Sequence, residues 1–436
     1  MSVIVYANKK TSRLIYTLDV IFKWIYTIDY QLTSDPASYQ NNLLPKLNYS
    51  NTPLAPQEVR ITPDPLLFEH HIRPVALSRG QIDQLPTFFQ QKDAPDALPF
   101  DPIACIFFWV SRYEEYLPFQ ADTHGRFPAT ESAAFQQQLL HLPVAQMWAH
   151  YLITQLQSQF PAFQPTPPRY RFQPTYDIDL AYAYRHKPLL RLAASLLKQV
   201  LTNQWPKARY QYRVYKGRLP DPYDTFSFLE TLHQQYGLSP IFFFLLATYR
   251  KNDNNLPHDI PAMRELIQQL SQSYRLGIHP SIRSNKKPKA LAQEIQRLYT
   301  HTSTKVLQSR QHYLILRFPH TYEQLIQHDI IADHSLGFAS QTGFRAGIAL
   351  PYPWFNLRTN QVTPLLLHPF QVMDVTLKQY LQLSPEAAIE HIQAYIQTLQ
   401  QYGGTFTTLW HNSSFAEHEG WQGWKSAYAK ILALAP

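Results

Sequence analysis

The sequence predicts an α/β protein whose strands form a parallel sheet, either closed as a barrel or open. Two observations predict this fold class. From residue 170 onwards, apolar strand-like runs alternate with segments of helical periodicity, and repeated strand–helix units build parallel sheets. Several of those runs end in aspartate or histidine, and in such folds the chemistry lies at the C-terminal ends of the strands.

The length and composition are those of a folded protein with two domains. The chain has 436 residues, of which 45% are hydrophobic and 14% aromatic, so it can bury a sizeable core. A proline-rich stretch at 161–168 separates two segments. We therefore predict a separate N-terminal α/β domain at 1–165 and a second domain at 166–436.

The N-terminal domain has a strand and two helices by its apolar spacing. The pattern predicts a short strand at 3–6, a helix over 14–28 and an amphipathic helix over 144–160. Residues 101–110 read as a buried element. It carries Cys105, the single cysteine, which we interpret as a buried structural thiol rather than a nucleophile.

The second domain alternates between the two kinds of element. Strands are predicted at 170–176, 241–246, 276–278, 306–314 and 405–411. Helices are predicted at 226–236, 261–274, 288–301, 322–328 and 385–402. Polar side chains follow the strands, namely Asp177, Asp179, His279, His312 and His411.

Two carboxylates one residue apart close the first of these strands. Asp177 and Asp179 point to the same face if the strand continues through them. Two like charges held together need a cation or a shared proton. An aspartate-rich turn is the alternative, because short aspartate motifs are common in turns.

The net charge of +8 is partly local. The segment 185–218 has basic side chains, no acidic ones, and leucines at helical spacing, which predicts a basic amphipathic helix. Such a helix either packs on its own domain or contacts an anionic membrane surface or polyanionic glycan. We expect no nucleic acid partner, because no binding motif accompanies the charge. Without a membrane-length apolar run or a secretory signal, the expected location is the cytoplasm.

The order of the strand-end motifs resembles the polysaccharide deacetylase family, the NodB-like carbohydrate esterases. Segments 174–179, 276–281 and 409–412 look like its first, second and closing motifs, and residues 310–314, 333–338 and 343–347 resemble a bacterial branch. The resemblance implies a distorted (β/α) barrel of the NodB type. It also implies a metal-dependent hydrolase that removes an N-acetyl group from a sugar of a glycan or cell-envelope precursor.

The resemblance extends to the N-terminal domain and to single residues. The signature at 107–116 looks like the uncharacterised N-terminal module of that bacterial branch, whose role does not follow from resemblance. In the second domain Asp177 is implied to be the catalytic base and His411 the general acid. Asp179 and His279 are implied to bind the metal.

One position departs from the family pattern. The usual second motif carries another histidine four residues after the first, and Arg283 stands there, which cannot bind a metal. We expect His312 to be the third ligand, with Ser281 and Ser284 behind it. Oxygen and imidazole ligands suit zinc, so Zn²⁺ is the expected divalent metal.

Two supporting interactions remain open at the level of sequence. Arg310 or Arg345 would keep Asp177 ionised, because a nearby guanidinium lowers a carboxylate pKa. Asp374 either orients His411 or caps the helix that follows it.

Two other functions compete with the deacetylase. A phosphatase would use Asp177 as nucleophile, although that class usually has Thr or Val where Ala181 stands. A catalytically inactive carbohydrate-binding or scaffolding protein on the same fold is the other alternative, and Arg283 favours it.

Overall fold

The N-terminal part of the chain is built on a small parallel sheet. The computed structural model describes residues 1–91, 96–417 and 420–436. Its first strands are β1 (Ser2–Ala7), β2 (Asp29–Thr33), β3 (Lys46–Tyr49) and β4 (Val59–Ile61), joined in the order β2-β1-β3-β4. β5 (Gly80–Ile82) and β6 (Leu85–Thr87) form a hairpin. The helices are α1 (Ser12–Leu18), α2 (Pro36–Gln40), α3 (Pro102–Val110), α4 (Ala133–Gln136) and α5 (Val144–Gln159).

A nine-stranded sheet forms the rest of the chain. Its strands are β7 (Tyr170–Ile178), β8 (Ile241–Phe244), β9 (Arg275–Ile278), β10 (Gln308–Ser309), β11 (Ala332–Asp333), β12 (Tyr352–Asn356), β13 (Gln361–Leu367), β14 (Val372–Met373) and β15 (Gly404–His411). They lie in the order β12-β13-β11-β10-β9-β8-β7-β15-β14. Every neighbouring pair is parallel except β12 with β13.

Helices connect the strands of this sheet. They are α6 (Leu189–Leu201), α7 (Trp205–Tyr215), α8 (Phe226–Tyr236), α9 (Pro261–Ser273), α10 (Pro288–Thr302), α11 (His320–Gln327), α12 (Pro385–Tyr402) and α13 (Trp424–Leu434). Among the described residues, no helix is both long and apolar enough to cross a membrane.

The predicted parallel sheet is therefore present, and its hydrogen-bonded ladder is open. In the part of the chain that the structure describes, the ladder ends at β12 on one side and β14 on the other. β12 folds back antiparallel on β13 and takes the edge at which a closed ladder would need β14. The expectation of a closed barrel is corrected to an open mixed α/β sheet.

Two predicted elements differ from the structure for local reasons. The basic segment 185–218 forms two helices, because Asn203 has a left-handed backbone (φ 57°) and Pro206 lies in the first turn of α7. The strand predicted at 306–314 is reduced to the two residues of β10. Beyond it the backbone of Tyr313 is left-handed (φ 59°), which a strand cannot contain.

The apolar core is shared between the N-terminal part and the nine-stranded sheet. The ring of Phe355 in β12 lies 5.5 Å from that of Phe107 in α3 and 4.8 Å from that of Tyr16 in α1. The Tyr16 hydroxyl donates to the carbonyl of Pro353 at 3.0 Å. The two sheets are separate, but their cores are continuous, so the domain boundary at 165/166 stays a prediction.

A buried ion cluster joins the same two parts. Arg345 donates to both carboxylate oxygens of Glu115, at 2.9 and 2.5 Å, and Arg112 donates to Glu115 Oε1 at 2.7 Å. Arg112 also donates to the Arg345 carbonyl. Burial alone would raise the pKa of Glu115, but the two guanidinium groups outweigh it and lower the pKa. Arg112 also pairs with Glu114 Oε1 at 2.6 Å, so the two guanidinium groups have two carboxylate partners inside the protein.

We predict that Glu115→Gln lowers the free energy of unfolding by about 3–5 kcal/mol, because it leaves the buried guanidinium of Arg345 without its counter-charge. Urea denaturation at neutral pH measures the loss. The matched control is Glu390→Gln, since Glu390 is exposed on α12. Equal stabilities of the two variants would contradict the assignment.

The same cluster gives the sign of a pH dependence. Because the pKa of Glu115 is lower in the folded protein than in the unfolded chain, its contribution is complete above the unfolded pKa. The contribution disappears as the pH falls through the folded pKa. The stability difference between the wild type and Glu115→Gln should therefore shrink on acidification.

Candidate functional site

A cavity of about 280 Å³ lies at the C-terminal edge of the nine-stranded sheet. Asp177 from β7, His279 after β9 and His411 at the end of β15 line it, together with Asp179 and His312. The parallel register of β7 and β15 pairs Asp177 with His411. The five strand-associated side chains named from the sequence therefore meet in one place.

Asp179, His279 and His312 form a cluster with the donor atoms of a metal site. Each offers one ligand atom, and these atoms lie within 4.8 Å of one another. Asp179 Oδ1 is 3.2 Å from His279 Nε2, and Asp179 Oδ2 is 3.6 Å from His312 Nε2. His312 reaches this cluster from a short 3₁₀ turn, His312–Leu314, rather than from the predicted strand.

A hydrogen bond at Nδ1 orients the imidazole rings of both His279 and His312. His279 Nδ1 lies 2.6 Å from the carbonyl oxygen of Arg310, and His312 Nδ1 lies 2.9 Å from Asp253 Oδ1. Since both oxygens can only accept, each Nδ1 is the protonated donor. The two Nε2 atoms are left facing Asp179, which is the arrangement found for histidines that bind metals.

The electrostatics of the cluster fit a cation. Asp179 Oδ1 is shielded from solvent and has no hydrogen-bond partner of good geometry among the described residues, although a buried carboxylate oxygen needs one. Burial opposes ionisation, but His312 and His279 hold the pKa of Asp179 well below its usual range. Burial likewise disfavours charge on His312, yet Asp179 and Asp253 raise its pKa to about 9. One carboxylate and two imidazoles are a donor set that zinc accepts.

Arg283, which stands where the family pattern has a histidine, and its neighbours Ser281 and Ser284 make other contacts. Ser281 Oγ donates to Glu294 Oε1 at 2.6 Å, and Ser284 Oγ donates to the Ser281 carbonyl at 2.8 Å. Arg283 lines a different cavity. Of the residues considered for the third ligand position, His312 is the one that meets Asp179 and His279.

Arg310 is the arginine that contacts Asp177. Its buried guanidinium donates from Nη1 to Asp177 Oδ1 at 3.1 Å and to Thr175 Oγ1 at 2.7 Å. The free Oδ2 of Asp177 lies 3.7 Å from His279 Nε2. The expectation that Arg345 contacts Asp177 is wrong. The guanidinium of Arg345 pairs with Glu115 instead, because Arg345 packs at the junction with the N-terminal part.

Asp374 holds His411 on the opposite side of the cavity. It accepts from His411 Nδ1 at 2.9 Å and from the His411 backbone amide at 2.7 Å. It also accepts from the Val375 amide at 2.6 Å and from Ser414 Oγ. Asp374 therefore orients His411 and also accepts from the backbone at the start of the helical turn Thr376–Tyr380. Burial would lower the pKa of His411, but Asp374 and then Asp179 raise it to about 10.

Sequence reasoning missed the roles of two residues of the site, Asp253 and Asn412. Asp253 lies in the loop after β8, so its place after a strand was a signal that could have been used. Tyr313, whose place near a predicted strand end makes it a candidate for stacking on a sugar ring, lies beside His312 with ring centroids 4.6 Å apart. Asn412 donates to the carbonyls of Leu180 and Ala181 at 3.1 and 3.3 Å, which fixes the loop after Asp179.

Comparisons with known proteins describe each part of the chain differently. Residues 3–161 match the model of a family of unknown function, DUF7033. No curated protein matches the chain.

Solved structures resemble the chain at low identity. A candidate polysaccharide deacetylase from Mycobacterium smegmatis has 14% identity and a TM-score of 0.41, with 62% of this chain and 85% of that chain covered. A polysaccharide deacetylase from Bacillus cereus has 9% identity and a TM-score of 0.29, covering 61% and 88%. A CE4 family pseudoenzyme from Bacillus anthracis has 8% identity and a TM-score of 0.28, covering 61% and 62%. What this chain does has to be inferred from its own side chains.

We predict that Asp374→Asn lowers the pKa of His411 from about 10 towards its ordinary value, because the carboxylate that stabilises the charged imidazole is removed. NMR titration of the metal-free protein follows the ring. The control is Asp329→Asn, which changes a carboxylate that pairs with Lys305 at the surface. An unchanged His411 titration in Asp374→Asn would contradict the assignment.

Proposed function

We propose that this protein is a metal-dependent hydrolase that removes an N-acetyl group from a sugar of a glycan or cell-envelope precursor, with Zn²⁺ as the divalent metal. One observation carries the proposal. A three-residue donor set, a carboxylate held by an arginine and a histidine held by a carboxylate face a single cavity.

The ligand set is Asp179, His279 and His312. A divalent cation supplies polarisation of the acyl oxygen and lowers the pKa of a water molecule when it is bound. The contribution of the chain is to fix the donors: Asp253 and the Arg310 carbonyl hold the two rings so that their Nε2 atoms face the cavity.

Asp177 is the general base in this proposal. Its Oδ2 accepts a proton from water while the water oxygen forms a bond to the acyl carbon. Arg310 donates to the other oxygen, Oδ1, and therefore keeps the carboxylate oriented before the reaction.

His411 is the general acid. Its raised pKa keeps the imidazole protonated at neutral pH, so Nε2 has a proton to donate. That proton goes to the amide nitrogen as the bond from carbon to nitrogen breaks, which leaves acetic acid and a free amino sugar. The acetic acid then releases its proton to solvent and becomes acetate. The proton taken up by Asp177 then returns to His411 through solvent, and the site is restored.

The N-acetylated sugar follows from the motif resemblance and fits an exposed aromatic ring. Tyr313 lines the cavity and is partly exposed, so its ring can stack on a sugar face. Tyr176, Trp354 and Trp410, the other aromatic residues near strand ends, are buried in the core.

The alternative is a catalytically inactive carbohydrate-binding or scaffolding protein on the same fold. Arg283 favours it, because this arginine replaces a family metal ligand. The two functions differ in whether the donor set binds a cation and in whether Asp177 is required for turnover.

We predict that alanine substitution at Asp179, His279 or His312 removes bound zinc, because two protein ligands hold zinc poorly. Elemental analysis of protein loaded with zinc and then desalted measures the stoichiometry. His320→Ala is the control, since this histidine is exposed on α11. Unchanged zinc in the three site variants, or none in the wild type, would favour the inactive alternative.

We predict that Asp177→Asn retains zinc but lowers turnover roughly 10²–10⁴-fold, because general-base catalysis contributes that much. Acetate release from an N-acetylated oligosaccharide measures the rate. A wild-type rate in this variant would exclude Asp177 as the base.

A further inference from the structure

The helical pair α6–α7 exposes its apolar face to solvent. Leu189, Leu190, Leu197 and Leu201 lie along one side of α6, and between 59% and 86% of each residue is exposed. Trp205 at the start of α7 is 59% exposed. A contiguous apolar surface of this kind marks an interaction site rather than an ordinary protein surface.

Two polar side chains of the pair are packed inward. Gln199 in α6 and Gln211 in α7 are buried, and Gln199 Nε2 donates to Gln211 Oε1 at 2.6 Å. Ser195 Oγ donates to the same oxygen at 3.1 Å. An amphipathic helix of a soluble protein turns its apolar side to the core, and most of the leucines of α6 face the other way.

The positive charge around the exposed leucines indicates which kind of partner this surface binds. The segment 185–218 contains nine lysine and arginine residues and no aspartate or glutamate, and Lys198 and Arg209 are exposed. Two copies of this face would bring like charges together, so self-association through it is disfavoured. Exposed Trp205 and Tyr212 are residue types enriched at the boundary between lipid and water.

The positive surface continues from α6 into a neighbouring loop. Arg191 Nη1 donates to the Asn255 carbonyl at 2.9 Å, and its guanidinium lies 3.4 Å from the centre of the Tyr249 ring. That loop contributes to a cavity of about 490 Å³ with five cationic lining residues, Arg250, Lys251, Arg283, Lys286 and Lys287.

We propose that the α6–α7 pair docks the protein on the surface of an anionic phospholipid membrane. The exposed leucines enter the boundary between headgroups and acyl chains, and the lysines and arginines contact the headgroup phosphates. α6 has 13 residues, which is too short to span a bilayer, so in this proposal it lies in the plane of the surface. The proposal stands on exposure and charge and does not depend on the hydrolase activity.

The test is co-sedimentation of the 436-residue chain with vesicles. Wild type should bind vesicles of phosphatidylglycerol and phosphatidylcholine, should bind phosphatidylcholine alone much less, and should be released by salt. The double variant Leu190→Ser/Leu197→Ser should bind the anionic vesicles at least about tenfold more weakly, because it removes apolar area that the membrane would bury. Leu43→Ser, at a fully exposed leucine elsewhere, should bind like the wild type.

A charge variant separates a membrane from other occupants. Lys198→Gln/Arg209→Gln should also weaken binding to anionic vesicles, whereas the exposed pair Lys9→Gln/Lys10→Gln should not. Circular dichroism should be unchanged in all variants, since the altered side chains are exposed.

Three results would overturn the proposal. The first is a wild type that ignores both kinds of vesicle. The second is a leucine variant that binds normally while the charge variant does not, which indicates a soluble polyanion. The third is a wild-type dimer in analytical ultracentrifugation that the leucine variant converts to a monomer, which indicates a second copy.

Discussion

The site depends on one buried charge, the guanidinium of Arg310. It bonds to Asp177 and Thr175 of β7 and to the carbonyl of His334 beyond β11, while its own carbonyl accepts from His279. A buried guanidinium needs a counter-charge and hydrogen-bond acceptors, and Arg310 has them at Nε and Nη1, whereas its Nη2 has no hydrogen-bond partner among the described residues. The guanidinium contacts join the ends of β7, β10 and β11, and the backbone carbonyl of the same residue holds His279 after β9. One residue therefore balances the charge of Asp177 and assembles the edge of the sheet that carries the candidate site.

Strands and loops have different parts in that edge. The proposed base and acid, Asp177 and His411, sit opposite each other in the parallel register of β7 and β15, so backbone hydrogen bonds fix their separation. The proposed ligands Asp179 and His312 lie just outside regular strands and depend on side-chain partners such as Asp253. The sheet therefore fixes the positions of the proposed base and acid, and the loops fix the positions of the proposed ligands Asp179 and His312.

Sequence alone was informative where periodicity and position carry the information. Asp177 and His411 could be placed at strand ends because apolar alternation marks β7 and β15. The partner of Arg345 could not be found, because its contact with Glu115 joins segments far apart in the chain. Asp253 was passed over since a polar loop has no periodicity, and the two-residue strands β10, β11 and β14 are too short to show any.

Asn412 shows how the site can tolerate sequence change. Its side-chain amide contacts carbonyl oxygens of residues 180, 181 and 223, and carbonyl oxygens are the same whatever side chain a residue carries. Substitutions at those three positions should leave these contacts intact, so the loop after Asp179 can change side chains without losing its link to Asn412. An insertion or deletion between His411 and Asn412 is different, because it would shift the proton donor and release the loop in a single step.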